Sequence, residues 1–532
     1  MHKLTVLMLF TLTTISASSV MSSDSNTEYR RVLSSQPGHL DPALTDNGHE
    51  IQIIRQIFDT LIAYDKNFSL KPALAEDWKI ENNRLRYIFK IRKDVKFFNG
   101  TIMTVDDVVF SLKRLITEPS SVYFSDLSMI KGAVDYRNGR GRDVSGIRNV
   151  NGDLIIELNR PNQYLLSILA SSAGSIMQKR VFAAQEGFSP IGTGPFIVEC
   201  NTIKRLILKA NQDYYKGKPN LSRIIYTQYP NKTTMYEDFV NGRLDDIAPY
   251  HLPKEVDATK FKHIFTNSVI SYVVTVNSSK PPLNNKYIRQ ALIMAINREA
   301  IFANLHKEYL YLIRSTSFIP KGRVGYDPDL VGLDYNPAKA LELIHKAGYK
   351  SFAELPLISL AYTGGLVYSR ELVDRMTKDY SDIGVKFKAE MVSHTQLQTK
   401  IKSGQWEMAF MGADTLYPDS YFMVRDFHSQ SPIGYMRRDN SFLNKMIEQA
   451  FVEPIFTRRV AILKEINKYI VYAGYVIPLY SGDVFDGTFQ PWVEGIEYPQ
   501  SGFSDMSMYP IRLNSNLAVK RPFMRCDCEN QN

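Results

Sequence analysis

The sequence predicts an α/β fold divided into more than one domain, and three observations support this prediction. Stretches with the period-two pattern of strands alternate with stretches of helical period along the whole chain. The 532 residues are too many for a single hydrophobic core. A hydrophobic content of 44% supplies enough apolar side chains for well-packed cores, which argues against a disordered chain.

The first residues have the pattern of an export signal. Met1, His2 and Lys3 precede the apolar residues 4–15, and small residues follow them. This order predicts a cleaved signal peptide over residues 1–19, because the apolar run is too short to span a bilayer comfortably. No cysteine follows the run, so we expect no lipoprotein anchor and place the mature protein in the periplasm.

A strand, a turn and a helix are predicted next to one another. Alternate residues of 85–91 are apolar, which indicates a strand with one buried face. Asn99-Gly100 is a turn dipeptide. Thr104 and Asp107 stand three residues apart ahead of an apolar run, which is the spacing of a capping box at a helix start.

The order of these elements within residues 70–114 closely resembles one known family. It is the signature of the large extracytoplasmic solute-binding proteins, the oligopeptide- and dipeptide-binding family that feeds transporters of the ATP-binding-cassette (ABC) type. Further motifs follow in the family's order: HLDPA at 39–43, IFDTLIAYD at 57–65, IGTGPF at 191–196, KANQDYYKGKPNL at 209–221, NGRLDDIAP from 241, IRQALIMAINREAI from 288 and DYNPAKALELIHKAGY at 334–349.

The resemblance implies a two-lobed periplasmic binding protein fold of type II, in the large peptide-binding subclass with an extra subdomain in the first lobe. The chain would cross between lobes near residues 272–277 and 478–487. The implied division is 1–19 signal peptide, 27–49 lobe 1, 50–179 extra subdomain of lobe 1, 180–272 lobe 1, 273–479 lobe 2, 480–520 return to lobe 1 and 521–532 tail.

The same resemblance implies a binding function without catalysis. The protein would capture peptides between two closing lobes and deliver them to an inner-membrane ABC permease, whose ATPase subunits supply the energy. We expect a monomer without a cofactor. Alternatives that stay open are a specialised cargo on the same scaffold (haem, a metal chelate, an opine or a cell-wall peptide) and a sensor or chaperone-like role. An enzyme is the least supported class, because the sequence contains no familiar catalytic motif.

Charge and cysteine content narrow the possible partners. The net charge of +9 permits binding to anionic partners, but the basic residues are scattered, so we expect no nucleic acid partner. Three cysteines exclude a disulfide framework, and a bridge from Cys200 to Cys526 or Cys528 in the tail stays open. His39, His49 and His428 are dispersed along the chain, and no metal site is predicted.

Asp414 is the first candidate ligand residue. A buried peptide ammonium needs a fixed carboxylate, since an unpaired buried charge is costly. Alignment of Pro418-Asp419 and Phe422 with the family's pattern places Asp414 at the amine-binding position, although Gly412 stands near where the family usually has a tryptophan. Asp419 is a second carboxylate, for which we expect a helix-capping role.

The other candidates come from loops that resemble ligand-facing segments in the family. The first lobe offers backbone and side-chain contacts, and the second lobe offers a loop in which glycine permits close backbone approach. Tyr480 would cover a ligand or lie in the core, and Arg370 or Arg375 would receive a carboxylate. The complete set is Asp414, Ser35, Gln36, Pro37, Tyr362, Thr363, Gly364, Tyr480 and Arg370.

Overall fold

A computed structural model provides the architecture of most of the chain. It describes residues 27–33, 36–45, 47–65, 69–180, 190–248, 250, 252–253, 255–266, 270–308, 312–364, 369–413, 415, 417, 419–431, 433–436, 439–482, 484–497, 506–518 and 521. Ser35, Asp414, the expected signal peptide and most of the tail lie outside these residues.

The strands of the described chain are numbered in chain order. They are β1 Glu28–Val32, β2 Ile62–Tyr64, β3 Leu70–Pro72, β4 Ala75–Glu81, β5 Arg86–Ile91, β6 Ile147–Val150, β7 Asp153–Glu157, β8 Phe196–Asn201, β9 Arg205–Ala210, β10 Arg223–Thr227, β11 Lys262–Thr266, β12 Ser271–Val276, β13 Leu312–Arg314, β14 Ile358–Tyr362, β15 Phe387–Met391, β16 Met408–Ala413, β17 Val476–Gly482, β18 Val484–Phe489, β19 Val493–Glu494 and β20 Arg512–Leu513.

The helices alternate with these strands. They are α1 Gly48–Ile57, α2 Val105–Thr117, α3 Phe124–Leu127, α4 Ala133–Arg137, α5 Leu165–Ala170, α6 Lys232–Val240, α7 Lys286–Met294, α8 Arg298–Glu308, α9 Pro337–Lys346, α10 Ser369–Asp382, α11 His394–Ser403, α12 Tyr421–Val424, α13 Ser441–Val452, α14 Phe456–Tyr472 and α15 Ser515–Ala518.

Three larger sheets organise the described residues. Sheet A has the strand order β1-β10-β9-β8, sheet B the order β13-β17-β12-β16-β14-β15, and sheet C the order β4-β5-β7-β6. Apolar cores cover both faces of sheet B, one of them built with α7, α9 and α10 and the other with α11, α13 and α14. Sheet C and its helices α2 and α5 pack around a further core, which also contains Tyr417, Phe422 and Phe451. The fold is therefore α/β, as the sequence predicts.

The local elements that the sequence predicts next to one another are confirmed. Strand β5 buries Tyr87 and Phe89 on one face of sheet C. Gly100 follows with φ +82°, the left-handed conformation that glycine tolerates. Thr104 and Asp107 then form a capping box at the start of α2, each bonding the other's backbone N–H.

Two further findings concern export and cysteines. Among the described residues, no helix combines the length and the apolar character needed to cross a bilayer. Cys200, on β8, is disulfide-bonded. The other two cysteines, Cys526 and Cys528, lie outside the described residues.

Candidate ligand cleft

The chain passes twice between neighbouring sheets, at adjacent points. β11 pairs with β18 beside sheet A, whereas β12 pairs with β17 inside sheet B. The chain therefore changes sheet between Thr266 and Ser271 and again between Gly482 and Val484. Ser271 lies opposite Ser481 in sheet B, so both crossings leave sheet B at the same ends of its strands. We call this side of the sheet, marked by Ser271 and Ser481, the crossing edge. Two adjacent crossings are suited to act as a hinge.

The carboxyl ends of several strands of sheet B share this crossing edge. Ser271, at the start of β12, lies opposite Ala413, at the end of the antiparallel β16. β14 runs parallel to β16, with Ala361 beside Ala409. Residues that follow β14 and β16 therefore lie at the crossing edge. Ligands of α/β proteins commonly bind in the crevice outside the carboxyl ends of strands.

Strand β1 of sheet A also ends at its crossing edge. Arg31 bridges Asp246 in parallel register, and Asp246 bridges Phe489 of β18 in antiparallel register. β1 therefore runs antiparallel to β18, and its carboxyl end points toward the start of β18. The chain enters from sheet B at that start. The segment after Val32 and the segments after β14 and β16 therefore follow strands whose carboxyl ends point toward the crossings. These strand ends are the candidate location of a ligand cleft.

The described candidates after β1 are held on sheet A by polar contacts. The Gln36 Nε2 donates to Asn201 Oδ1 at 3.0 Å, and Pro37 is half-buried. A Glu50 carboxylate oxygen accepts the backbone N–H of Gly38 at 2.7 Å and that of His39 at 3.4 Å. These contacts hold the segment against α1 and the β8 end of the sheet.

Of the three candidates at and after the end of β14, one is exposed to solvent. Tyr362 and Thr363 are buried, whereas Gly364 is exposed. A Cβ atom on Gly364 would lie 3.1 Å from the sulfur of Met391, so glycine allows the β14 loop and β15 to approach closely. Met391, at the crossing edge of β15, is 63% exposed. Sequence analysis missed this residue, because a methionine at a strand end carries no signal of its own.

Among the remaining candidates, Tyr480 lies at the crossing edge but is buried, and the two arginines lie on α10. Tyr480 is 1% exposed and stacks on Tyr272 with ring centroids 4.6 Å apart, which favours the core alternative. The Arg370 side chain is 81% exposed and lies 3.9 Å from Asp374 on the same helix. Arg375 pairs with Asp379 at 2.9 Å, also within α10. Their assignment as ligand residues stays a prediction.

The loop after β16, which carries Asp414, is braced directly after that residue's position in the sequence. Arg323 is buried and donates from Nη1 to the Tyr417 carbonyl at 2.6 Å and from Nη2 to the Thr415 carbonyl at 3.3 Å. One guanidinium therefore fixes the carbonyls of both Thr415 and Tyr417. No sequence signal marks Arg323, because the arginine lies about ninety residues from the loop that it holds.

Asp419 has the capping contact expected from sequence. One carboxylate oxygen accepts the backbone N–H of Tyr421, the first residue of α12, at 2.9 Å. Arg459 lies 3.1 Å from the other oxygen. Burial raises the pKa of Asp419, and the positive charge of Arg459 opposes that rise. Both contacts fix the far end of the Asp414 loop.

Asp426, behind this loop, is expected to make stability depend on pH. Burial raises its pKa from 3.8 to about 6, against the opposing charge of Arg425. The unfolded chain therefore loses its proton first as pH rises from 4 to 6, so the free energy of unfolding falls across that window. Between pH 4 and 7, the free energy of unfolding of Asp426→Asn should therefore rise by up to about 3 kcal/mol relative to that of wild type, at about 1.4 kcal/mol per pKa unit.

Urea unfolding at pH 4.5 and pH 7 measures this difference. Asp382→Asn is the matched control, because Asp382 is an exposed carboxylate paired with Lys378 on α10. The control should follow the wild-type pH profile. If Asp426→Asn also ran parallel to wild type at every pH, the assigned titration of Asp426 would be wrong.

The described residues contain no group of three or more His, Cys, Asp or Glu side chains placed to hold a metal ion. The ring of His428 contacts two neighbours. Its Nε2 lies 3.3 Å from a Glu448 carboxylate oxygen, and its Nδ1 accepts the backbone N–H of Gln430 at 3.1 Å. His39 contributes its backbone N–H to the Glu50 contact.

Two α/β units joined by adjacent crossings, with strand ends directed toward those crossings, define a two-lobed binding protein. The chain belongs to the bacterial extracellular solute-binding proteins, family 5, whose model for the middle region matches residues 69–435. The resemblance drawn from the sequence motifs is thereby confirmed. This is a family of binding proteins.

Named relatives support the same family and fold. Heme-binding protein A of Haemophilus influenzae is 25% identical over 527 residues, covering 92% of this chain and 93% of that protein. The dipeptide-binding protein of Escherichia coli is 24% identical over 381 residues, covering 66% of this chain and 69% of that protein. A dipeptide-binding protein of Pseudoalteromonas, solved in complex with Met-Leu, superposes with a TM-score of 0.76 at 21% identity, covering 91% of this chain and 100% of that one.

Proposed function

We propose that this protein is the periplasmic substrate-binding component of an ABC importer and captures peptides between two closing lobes. The observation that carries the proposal is the shared crossing edge. The segments after β1, β14 and β16, each chosen from sequence as ligand-facing, follow strands whose carboxyl ends point toward the two crossings. The family membership and the named peptide-binding relatives support the same function.

The crevice suits a ligand whose termini matter more than its side chains. Asp414 would pair with the peptide ammonium, and the Arg323 brace would hold its loop in place. Backbone groups at the ends of β1 and β14 would pair with the peptide backbone, which contributes affinity without selecting side chains. The exposed thioether of Met391 beside Gly364 would offer an adaptable apolar surface to a ligand side chain.

Closure would transmit binding to the transporter. A ligand that contacts both lobes favours the closed population by its differential affinity for that state. The inner-membrane permease would recognise the closed form, and its ATPase subunits would drive uptake. The proposed protein is a monomer exported by a signal peptide at residues 1–19.

A specialised cargo on the same scaffold is the second candidate. The observation in its favour is the similarity to heme-binding protein A across 92% of this chain. Under this function the ligand would be one compound of a single mass, and Asp414 would not pair with a peptide ammonium.

Native mass spectrometry of the protein purified from its own periplasm tests the two candidates. Gentle denaturation after the first spectrum releases any ligand for identification. We expect a set of masses that fragment as peptides of one or two lengths. A single non-peptide mass would overturn the peptide proposal in favour of the specialised cargo.

A further inference from the structure

An aromatic contact surface joins the helices of sheet C to the segment after β16. Tyr164, at the start of α5, stacks on Tyr421 with ring centroids 4.6 Å apart and meets the Phe422 ring edge-on at 5.1 Å. Its hydroxyl donates to the Ala450 carbonyl at 3.1 Å. Tyr417, Phe422 and Phe451 are buried in the same core as sheet C, although they belong to the segments around sheet B. The unit that contains sheet C, which the family resemblance assigns to the first lobe, is therefore packed against the unit that contains sheet B.

Asp126 is the charged residue within this surface. It lies on α3, and its side chain is 5% exposed. One carboxylate oxygen accepts the Tyr417 hydroxyl at 2.8 Å, and the other is paired with the Arg425 guanidinium. Burial, together with the charge of Asp126, raises the pKa of Tyr417 well above its usual value, so the phenol remains a proton donor. Both partners come from the other unit.

The loop after β16 is thus held from two sides. Arg323 holds the Thr415 and Tyr417 carbonyls from the side of sheet B. Asp126 holds the hydroxyl of the same Tyr417 from the side of sheet C. The first contact lies within one unit and persists however the units are arranged, whereas the second exists only while the two units are in contact.

We propose that Asp126 is a positioning residue that holds the ligand loop through Tyr417 and Arg425 only when the two lobes are closed. The proposal rests on the proposed function, in which the loop after β16 pairs with the ligand. When the lobes open, water replaces both partners of Asp126 and the loop loses the support that comes from the side of sheet C. Ligand-loop geometry and lobe closure are thereby coupled through one carboxylate.

Hydrogen exchange on residues 415–424, with the distance between spin labels on the two units, tests this coupling. The variants are Asp126→Asn, which removes the charge, and Tyr417→Phe, which removes only the hydroxyl. Asp143→Asn is the matched control, because Asp143 is an exposed carboxylate paired with Lys113 in the same unit at 2.6 Å. Each protein is measured as purified with its native ligand and after the ligand has been removed.

With ligand bound, we expect Asp126→Asn to accelerate exchange of the loop by about tenfold or more, as a lost hydrogen bond to a charged group implies, and to lower the closed fraction. After ligand removal, its exchange should match that of wild type, and an equal acceleration in both preparations would contradict a role confined to the closed state. Tyr417→Phe should have a smaller effect in the same direction, and little further effect when added to Asp126→Asn, because the asparagine oxygen is a weaker, uncharged acceptor for the hydroxyl. The control should match wild type in both measurements.

If the exchange rates and spin-label distances of Asp126→Asn matched those of wild type in both preparations, the proposal would be overturned. Additive effects of the two substitutions would also overturn it, since they would indicate separate packing defects. Neither readout requires a peptide. If native mass spectrometry found a non-peptide cargo, the proposed function would fail while the coupling remained testable by the same experiment.

Discussion

Replacing Asp414 with asparagine is expected to weaken binding of free-amine peptides by about 30-fold or more, since removing one member of a buried charge pair costs about 2–5 kcal/mol. The residue follows β16, whose end lies at the crossing edge opposite Ser271. The Arg323 brace on the adjacent carbonyls limits any movement of the loop that would let another group replace the carboxylate. Isothermal titration with the peptides identified by native mass spectrometry measures the loss.

The comparison that isolates the ammonium uses the same peptides with acetylated amino termini. Wild type should bind them weakly, and Asp414→Asn should cause little further loss, because no positive charge remains to be paired. Asp382→Asn, an exposed carboxylate of α10, should leave both affinities unchanged. An equal loss for free and acetylated peptides would remove Asp414 from the amine-binding role.

Arg31→Met is expected to lower the free energy of unfolding by about 3–5 kcal/mol at neutral pH, the usual cost of leaving a buried charge without its partner. Arg31 and Asp246 form an ion pair at 3.2 Å, with side chains 1% and 0% exposed. The guanidinium also lies 5.7 Å from the centroid of the Tyr226 ring. Methionine keeps much of the apolar volume, so the loss reports the charge rather than a cavity.

The pH dependence of this loss provides the sharper measurement. Burial already raises the pKa of Asp246, and Arg31 opposes that rise. Without Arg31 the pKa rises further, so the deficit should shrink as pH falls and Asp246 takes up a proton. Arg140→Met, which removes an exposed partner of Asp135, should cost about 1 kcal/mol or less. Equal losses for the two variants in urea unfolding would contradict the role of burial.

Local sequence patterns determined much of the fold. The alternating residues 85–91, the turn at Gly100 and the capping box of Thr104 each act over a few neighbouring residues, and the structure has all three. Asn336 caps α9 ahead of Pro337 in the same way. Such elements are predictable because their hydrogen bonds and side-chain periods are contained within one short stretch of chain.

Family motifs carried the prediction further than local patterns alone. They identified the solute-binding family and selected the segments after β1, β14 and β16 as ligand-facing. Strand register then directed the carboxyl ends of these strands toward the crossings, although more than three hundred residues separate the first segment from the last. A motif identifies a segment by its chain position; its partner across a crevice depends on strand pairing.

The roles of individual side chains were decided only by the tertiary structure. Tyr480 stacks on Tyr272 in the core of sheet B, and Arg370 points into solvent. Arg323 and Asp126, which no sequence pattern marks, hold the loop after β16 from opposite sides. The physical reason is range: burial and hydrogen bonding between residues far apart in sequence arise from packing, whereas the sequence by itself determined the local elements and the family.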